Sequence, residues 1–171
     1  MKKEYSALDV ALWFIYKTNA EMKNNVADND DFDIYEGITH LKLQKLLYFA
    51  QGIYLAINNK PLFKENILAW EHGPVVSEVY GEYKKYQRDC IPIISNEIND
   101  AIVTNIESDY RVSNALNLAY DNFAIYTAWQ LRQMTHRPNA PWDITVKTKG
   151  LNSIIDTGLI RDYFIQNVVE N

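Results

Sequence analysis

The sequence predicts a mainly α-helical protein, a compact single-domain bundle of about six to seven helices. Its 171 residues are 47% hydrophobic, which is enough for one domain with a proper core. Apolar residues recur at helical spacing through most of the chain, and Pro, Asn and helix-capping residues separate these segments. No repeat and no linker interrupts the pattern, so one domain is expected over residues 1–171.

Two helices are expected in the first sixty residues. Ser6 with Asp9 resembles a capping box and starts a helix that runs to about Lys23. Thr39 can cap a second helix, which Pro61 ends. The apolar positions of this second helix are Leu43, Leu46, Leu47, Ala50, Ile53, Tyr54 and Ile57. They follow the i, i+3, i+4, i+7 pattern, which makes this the clearest helix in the sequence.

The segment 28–36, between the first two helices, carries five carboxylates and no basic residue. Such a run is typical of a solvated loop, and it is also suited to docking against a basic partner. The sequence leaves both interpretations open.

A turn is expected at Gly73-Pro74, because Pro fits the first position of a helix and Gly permits unusual backbone angles. A third helix should follow and end near Tyr86 or Gln87. The segment 91–94 is short and contains a proline, so it is expected to be a loop or an edge strand that pairs with 67–70. A small two-stranded β element is therefore predicted near residues 67–70 and 91–94.

The second half of the chain is expected to be helical as well. Helices are expected over 96–108, 113–120, 124–134 and 142–147. Pro138 and Pro141 break the pattern before the fourth of these, and Asp156 can cap a last helix.

The charge balance argues against a nucleic-acid partner. The formal net charge is -5, so the molecule as a whole repels a phosphate backbone. The densest basic groups are Lys84-Lys85 with Arg88 and Arg132 with Arg137, and neither forms the basic run typical of nucleic-acid binding.

The expected location is the cytoplasm. Cys90 is the single cysteine, so no internal disulfide is possible, and the N-terminus has no apolar signal-type run. No segment approaches the ~18 uninterrupted apolar residues of a membrane span.

No catalytic or metal-binding constellation is evident. The three histidines, His40, His72 and His136, lack the spacing of metal ligands, and Cys90 has no cysteine partner, so neither metal nor cofactor is expected. Ser77 is not in a nucleophile elbow. His72 and His136 are expected to brace turns through hydrogen bonds or to belong to a partner-binding groove.

The turn at Gly73-Pro74 admits two interpretations, pure packing or a rigid binding hot spot. Trp70 and Val75 flank it and would be held in fixed positions, so that little entropy is lost when a partner binds. Lys42 and Lys45 lie three residues apart on the second helix and are expected to be solvated on one side of it.

Several blocks of the sequence taken together resemble the Panacea domain of SocA-like antitoxins. The blocks are residues 41–52, Pro61-Leu62-Phe63, residues 69–76 with Val79-Tyr80, Thr135-His136, Pro141-Trp142, and the closing helix 160–164. The resemblance covers about residues 6–166. The order and spacing of these blocks indicate the family more specifically than the leucine-rich helix alone.

The resemblance implies an antitoxin, associated with prophages or mobile elements, that neutralises a co-encoded protein toxin by direct contact and needs no cofactor. Candidate partner-binding residues are Lys42, Lys45, Trp70, His72, Gly73, Pro74, Val75, Tyr80, His136 and Trp142. Some family members carry an additional DNA-binding domain, for which a first helix this close to the N-terminus leaves no room. Two alternatives stay open: an enzyme that uses His72, His136 and Glu71, and a DNA-binding regulator.

Overall fold

The computed structural model describes residues 4–27 and 37–169, and the acidic segment 28–36 lies outside them. The described chain forms eight α-helices and one two-stranded antiparallel sheet, which confirms the predicted mainly-α class. The elements in chain order are α1 Ala7–Ala27, α2 His40–Asn58, β1 Ile67–Trp70, β2 Gly73–Val76, α3 Ser77–Tyr83, α4 Glu97–Ser108, α5 Tyr110–Phe123, α6 Ala128–Thr135, α7 Pro141–Lys149 and α8 Thr157–Phe164. A 3-10 turn Lys84–Tyr86 follows α3, and a π-helical turn Ile165–Val169 follows α8.

Helix α2 is the centre of the bundle. It packs against α1, α3, α5, α6, α8 and β2, and its side chains are buried without interruption from Leu43 to Leu55. Gly52 brings α8 close, because a methyl group there would lie 2.4 Å from the ring of Phe164. A helix buried on nearly every side needs apolar residues on most of its faces, which explains its leucine-rich sequence.

Side-chain caps fix the beginnings of several helices. Thr39 accepts a hydrogen bond from the Lys42 amide at the start of α2, as predicted, and Asp156 accepts one from Leu159 at the start of α8. Helix α6 begins at Ala128, four residues later than expected. Thr127 and Gln130 form a capping box there, which sets the boundary.

The region around Pro74 differs from the prediction. Pro74 does not start α3; it lies in β2, opposite Ala69 of β1. Proline is tolerated because this position is on the edge of a two-stranded sheet, and the β-branched Val75 and Val76 favour a strand. The two-stranded sheet exists, but the predicted pairing of 67–70 with 91–94 is wrong.

Other segments cover the edge of β1. The amide of Ala69 donates to Ser153 O at 2.9 Å, and the amide of Ile155 donates to Ile67 O at 2.8 Å. Ile91, expected to pair with β1, donates instead to Ile38 O at 2.9 Å. The outer edge of β1 is therefore paired with the segment 152–155, through an antiparallel bridge between Leu68 and Ile154, and not with 91–94. Within the described ranges, no helix is both long and apolar enough to cross a membrane.

Candidate functional site

The β1–β2 turn is anchored to the middle of α2 by Lys45. The side chain of Lys45 is only 4% exposed and donates to Pro74 O at 3.2 Å, so the expectation that it is solvated is wrong. Burial, together with the nearby charge of Arg132, lowers the pKa of Lys45 to about 7. Lys42, one turn earlier, is half-buried and donates to Ala124 O at 2.6 Å. Both lysines therefore hold backbone carbonyls.

Gly73 makes the close approach of Lys45 possible. Its φ of +108° lies in the region that favours glycine. A methyl group at this position would lie 2.9 Å from Lys45 Nζ and 3.0 Å from Thr135 Oγ1. The turn, the second helix and the end of α6 therefore meet at a point where no side chain fits.

His136 joins α6 to the turn. Its Nδ1 lies 2.8 Å from Arg132 O and its Nε2 lies 3.3 Å from Glu71 O. Burial lowers the pKa of His136 below its usual value, although hydrogen bonds to these two carbonyls favour the protonated ring. The imidazole packs on Trp142 with ring centroids 3.7 Å apart, and the Trp142 indole donates to Trp70 O at 2.8 Å.

An aromatic row extends from the hairpin to the start of α2. The ring of Trp70 meets that of Tyr80 at a centroid distance of 4.9 Å, and Tyr80 meets His40 at 5.4 Å. Both contacts are edge-to-face, the arrangement that aromatic pairs prefer. Trp70 and Tyr80 are half-buried, so part of each ring is exposed to solvent.

Most of the predicted partner-binding residues lie around the hairpin, whereas Lys42 donates to Ala124 O, in the connection before α6. The structure brings Lys45, Trp70, Gly73, His136 and Trp142 together. The turn itself is divided, because Glu71 and His72 at its tip are exposed while the three residues that follow, 73–75, are buried. The buried residues hold the exposed tip in place.

The side chain of His136 binds backbone carbonyls of the turn and of α6, and no carboxylate group takes part. His136 contacts the backbone carbonyl of Glu71, not its carboxylate. No carboxylate of a described residue forms a hydrogen bond with either His72 or His136, and the described residues contain no cluster of three or more His, Cys, Asp or Glu that could hold a metal ion. The hydrogen bonds fix the position of the turn.

Two buried glutamines of α2 were not among the predicted site residues. The Gln44 amide accepts from Val76 N at 2.8 Å and donates to Val76 O at 3.3 Å. Gln51 accepts from Leu62 N at 2.7 Å and donates to Phe63 O at 3.0 Å. Their spacing of seven residues inside a leucine-rich helix, two turns along one face, was the signal available in the sequence.

A separate open cleft of about 420 Å³ lies between α2, α5 and the C-terminal π-helical turn. Its lining is mostly aromatic and aliphatic, and includes Phe49, Phe123 and Tyr126. Tyr48 also lines the cleft, and its buried hydroxyl has no hydrogen-bond partner among the described residues. This cleft could not be predicted from the sequence, because its lining comes from segments far apart in the chain.

Comparison with known proteins places these residues in a family. Residues 43–143 match the family model described as "Antitoxin SocA-like, Panacea domain". This region contains Lys45, the hairpin and Trp142. The protein named antitoxin SocA, from Caulobacter vibrioides, is 30% identical over 125 residues, which are 67% of this chain and 63% of that relative. The match thus spans less than two thirds of the curated relative. No solved structure matches.

Proposed function

The chain belongs to the Panacea domain family of SocA-like antitoxins, and from that premise we propose that it is an antitoxin that neutralises a co-encoded protein toxin by direct binding. The observation that supports this proposal is that side chains from α2, from the end of α6 and from α7 hold the β1–β2 hairpin in place. Lys45, His136 and Trp142 hold the carbonyls on either side of its exposed tip, so that tip is rigid before any partner arrives.

A rigid tip favours tight binding. Association costs the entropy of every loop and side chain that becomes ordered, and a preorganised turn has already lost that freedom on folding. Glu71 and His72 present polar groups at the tip, and Trp70 and Tyr80 present aromatic surface beside it. Aromatic side chains surrounded by polar groups are typical of the centre and rim of protein interfaces.

We also propose where the toxin is encoded and where the two proteins meet. The toxin would be encoded beside this chain, on a prophage or another mobile element, and the two proteins would meet in the cytoplasm. The free thiol of Cys90 is compatible with that reducing compartment. Neutralisation by contact requires no cofactor.

Co-expression with the product of the adjacent gene tests the proposal. That product alone should arrest growth, and co-expression of this chain should restore growth and yield a co-purified complex. The double variant Glu71→Ala, His72→Ala should weaken rescue, because it removes the polar groups of the exposed tip. A matched double variant at the exposed end of α4, Glu107→Ala, Ser108→Ala, should rescue like the wild type. Growth arrest that this chain does not relieve would contradict the proposal.

A further inference from the structure

Helix α6 carries an exposed aromatic residue and an arginine that contact each other. Trp129 is 62% exposed, and the guanidinium carbon of Arg132 lies 5.1 Å from the centroid of its ring. The two residues are three apart and therefore lie on the same side of the helix. Stacking on the indole holds the planar guanidinium in one orientation.

The guanidinium of Arg132 has no acidic or hydrogen-bonding partner within the part of the chain that the structure describes. Its Nε is buried and unpaired, and none of the ion pairs between described residues includes Arg132. An unpaired buried donor on a cation costs free energy, more than a neutral group would. The two terminal nitrogens also form no hydrogen bond with a described residue and, unlike Nε, are not buried, so an incoming acceptor would bind these.

Two other basic groups lie close to Arg132. The charge of Arg132 contributes to lowering the pKa of both Lys45 and His136, which places all three groups close together. Asp143, which interacts electrostatically with His136, is already ion-paired with Lys147 at 2.7 Å. Because burial is the main cause that lowers both pKa values, Arg132 is the group of the three that keeps its full positive charge at neutral pH.

We propose that Trp129 and Arg132 form a docking site for a carboxylate side chain of the toxin. The guanidinium would bind the carboxylate through two parallel hydrogen bonds, and the indole would pack against the apolar part of the same side chain or its neighbour. This inference rests on the proposed function, because it names the chemistry through which the toxin is recognised.

The surroundings of the pair fit a protein partner. A nucleic acid would bring a row of phosphates against the net negative charge, whereas a single carboxylate meets only the unpaired guanidinium of Arg132. Ile125, in the connection before α6, is 80% exposed and adds apolar surface. Arg132 O also binds His136 Nδ1, so the site is continuous with the hairpin through His136 and Glu71 O.

Affinity measurements on the toxin complex test the inference. Arg132→Gln should weaken binding by roughly tenfold or more, and Trp129→Ala by a similar factor, as expected for central interface residues. The affinity of Arg132→Lys should lie between those of the wild type and of Arg132→Gln, because lysine keeps the charge but lacks the planar guanidinium. The control Arg111→Gln, at an exposed position of α5, should bind like the wild type. Thermal unfolding of each variant separates loss of binding from loss of folding.

A charge exchange identifies the carboxylate. Arg132→Glu should abolish binding, and replacing one Asp or Glu of the toxin by Arg should restore it. Wild-type binding should also weaken more with added salt than binding of Arg132→Gln. If the wild type binds the toxin and Arg132→Gln binds equally tightly, the docking site is wrong while the antitoxin function stands. If the wild type does not bind at all, both fail.

Discussion

At the scale of single residues, Lys45 is the most unusual feature of the molecule. Its ammonium group lies in the core with one hydrogen bond, to Pro74 O, and with Arg132 nearby. Burial of a charge without a carboxylate favours the neutral amine. The consequence is a lysine that titrates near pH 7 in the folded protein and makes folding depend on pH.

The unfolding free energy should rise with pH above about 7. Between pH 7 and the usual lysine pKa of 10.5, the folded protein binds fewer protons than the unfolded chain, so raising the pH favours folding. For one proton the slope is at most about 1.4 kcal/mol per pH unit. Urea unfolding at pH 6 to 9 should show this slope in the wild type and lose it in Lys45→Met. Equal slopes in the two proteins would contradict the assigned pKa.

Gly73→Ala should destabilise the protein by about 1–3 kcal/mol. The new methyl group would lie 2.9 Å from Lys45 Nζ, and the φ of +108° is strained for alanine. Gly81→Ala is the matched control, since Gly81 lies in α3 with open space around it and alanine favours helices. Thermal unfolding should therefore show a lower Tm for the first variant and an equal or higher Tm for the second. A Gly73→Ala protein as stable as the wild type would refute the close approach.

Some of these residue roles could be predicted from the sequence and others could not. A change of chain direction near Gly73 was predictable because Gly-Pro has a strong local meaning, but the turn itself lies at Glu71-His72, and Gly73-Pro74 begin β2. The burial of Lys45 was not, because a lysine inside a helical pattern is nearly always solvated and only tertiary packing shows otherwise. The spacing of Trp129 and Arg132 could have indicated their contact, but the lack of an acidic partner for the guanidinium depends on the fold.

At the scale of elements, α2 acts as a substitute third strand beside the hairpin. Gln44 pairs with both the amide and the carbonyl of Val76, as a neighbouring strand would. Its side chain is 2% exposed, so water cannot replace these bonds. A side chain of the helix thus supplies the hydrogen bonds that the amide and carbonyl of Val76 would otherwise form with a neighbouring strand.

Gln44→Leu should destabilise the protein by about 2 kcal/mol or more, because the Val76 amide and carbonyl would be left buried without partners. Gln133→Leu, at an exposed position of α6, is the matched control and should change stability by less than about 0.5 kcal/mol. Urea unfolding measures both. Equal stability of the two variants would show that the Val76 groups find other partners.

The predicted elements failed where tertiary contacts outweighed local preference. The predictions of helix α2 and of the caps at Thr39 and Asp156 were correct, since these features depend on neighbouring residues in the chain. Pro74 was wrongly assigned to a helix start. Its place in β2 depends on pairing with Ala69, on Lys45 and on the glutamine that covers the strand edge, none of which local sequence reveals.

At the scale of the whole molecule, charge and rigidity are distributed unevenly. The chain carries a net charge of -5, yet the guanidinium of Arg132 has no acidic partner among the described residues and lies beside the contacts that hold the hairpin tip. Composition predicted only the overall sign, because the contacts around the hairpin gather residues from α2 and from the end of α6, which are far apart in the chain. The fold creates a local surface that differs from the average of the sequence.

Direct binding of the co-encoded toxin is the property on which the proposed antitoxin function depends. Isothermal titration of the purified chain with the purified product of the adjacent gene measures that binding. We expect saturable binding with a Kd below about 1 μM, weakened by Arg132→Gln and unchanged by Arg111→Gln. If no binding is detected at about 100 μM, the proposed function is wrong.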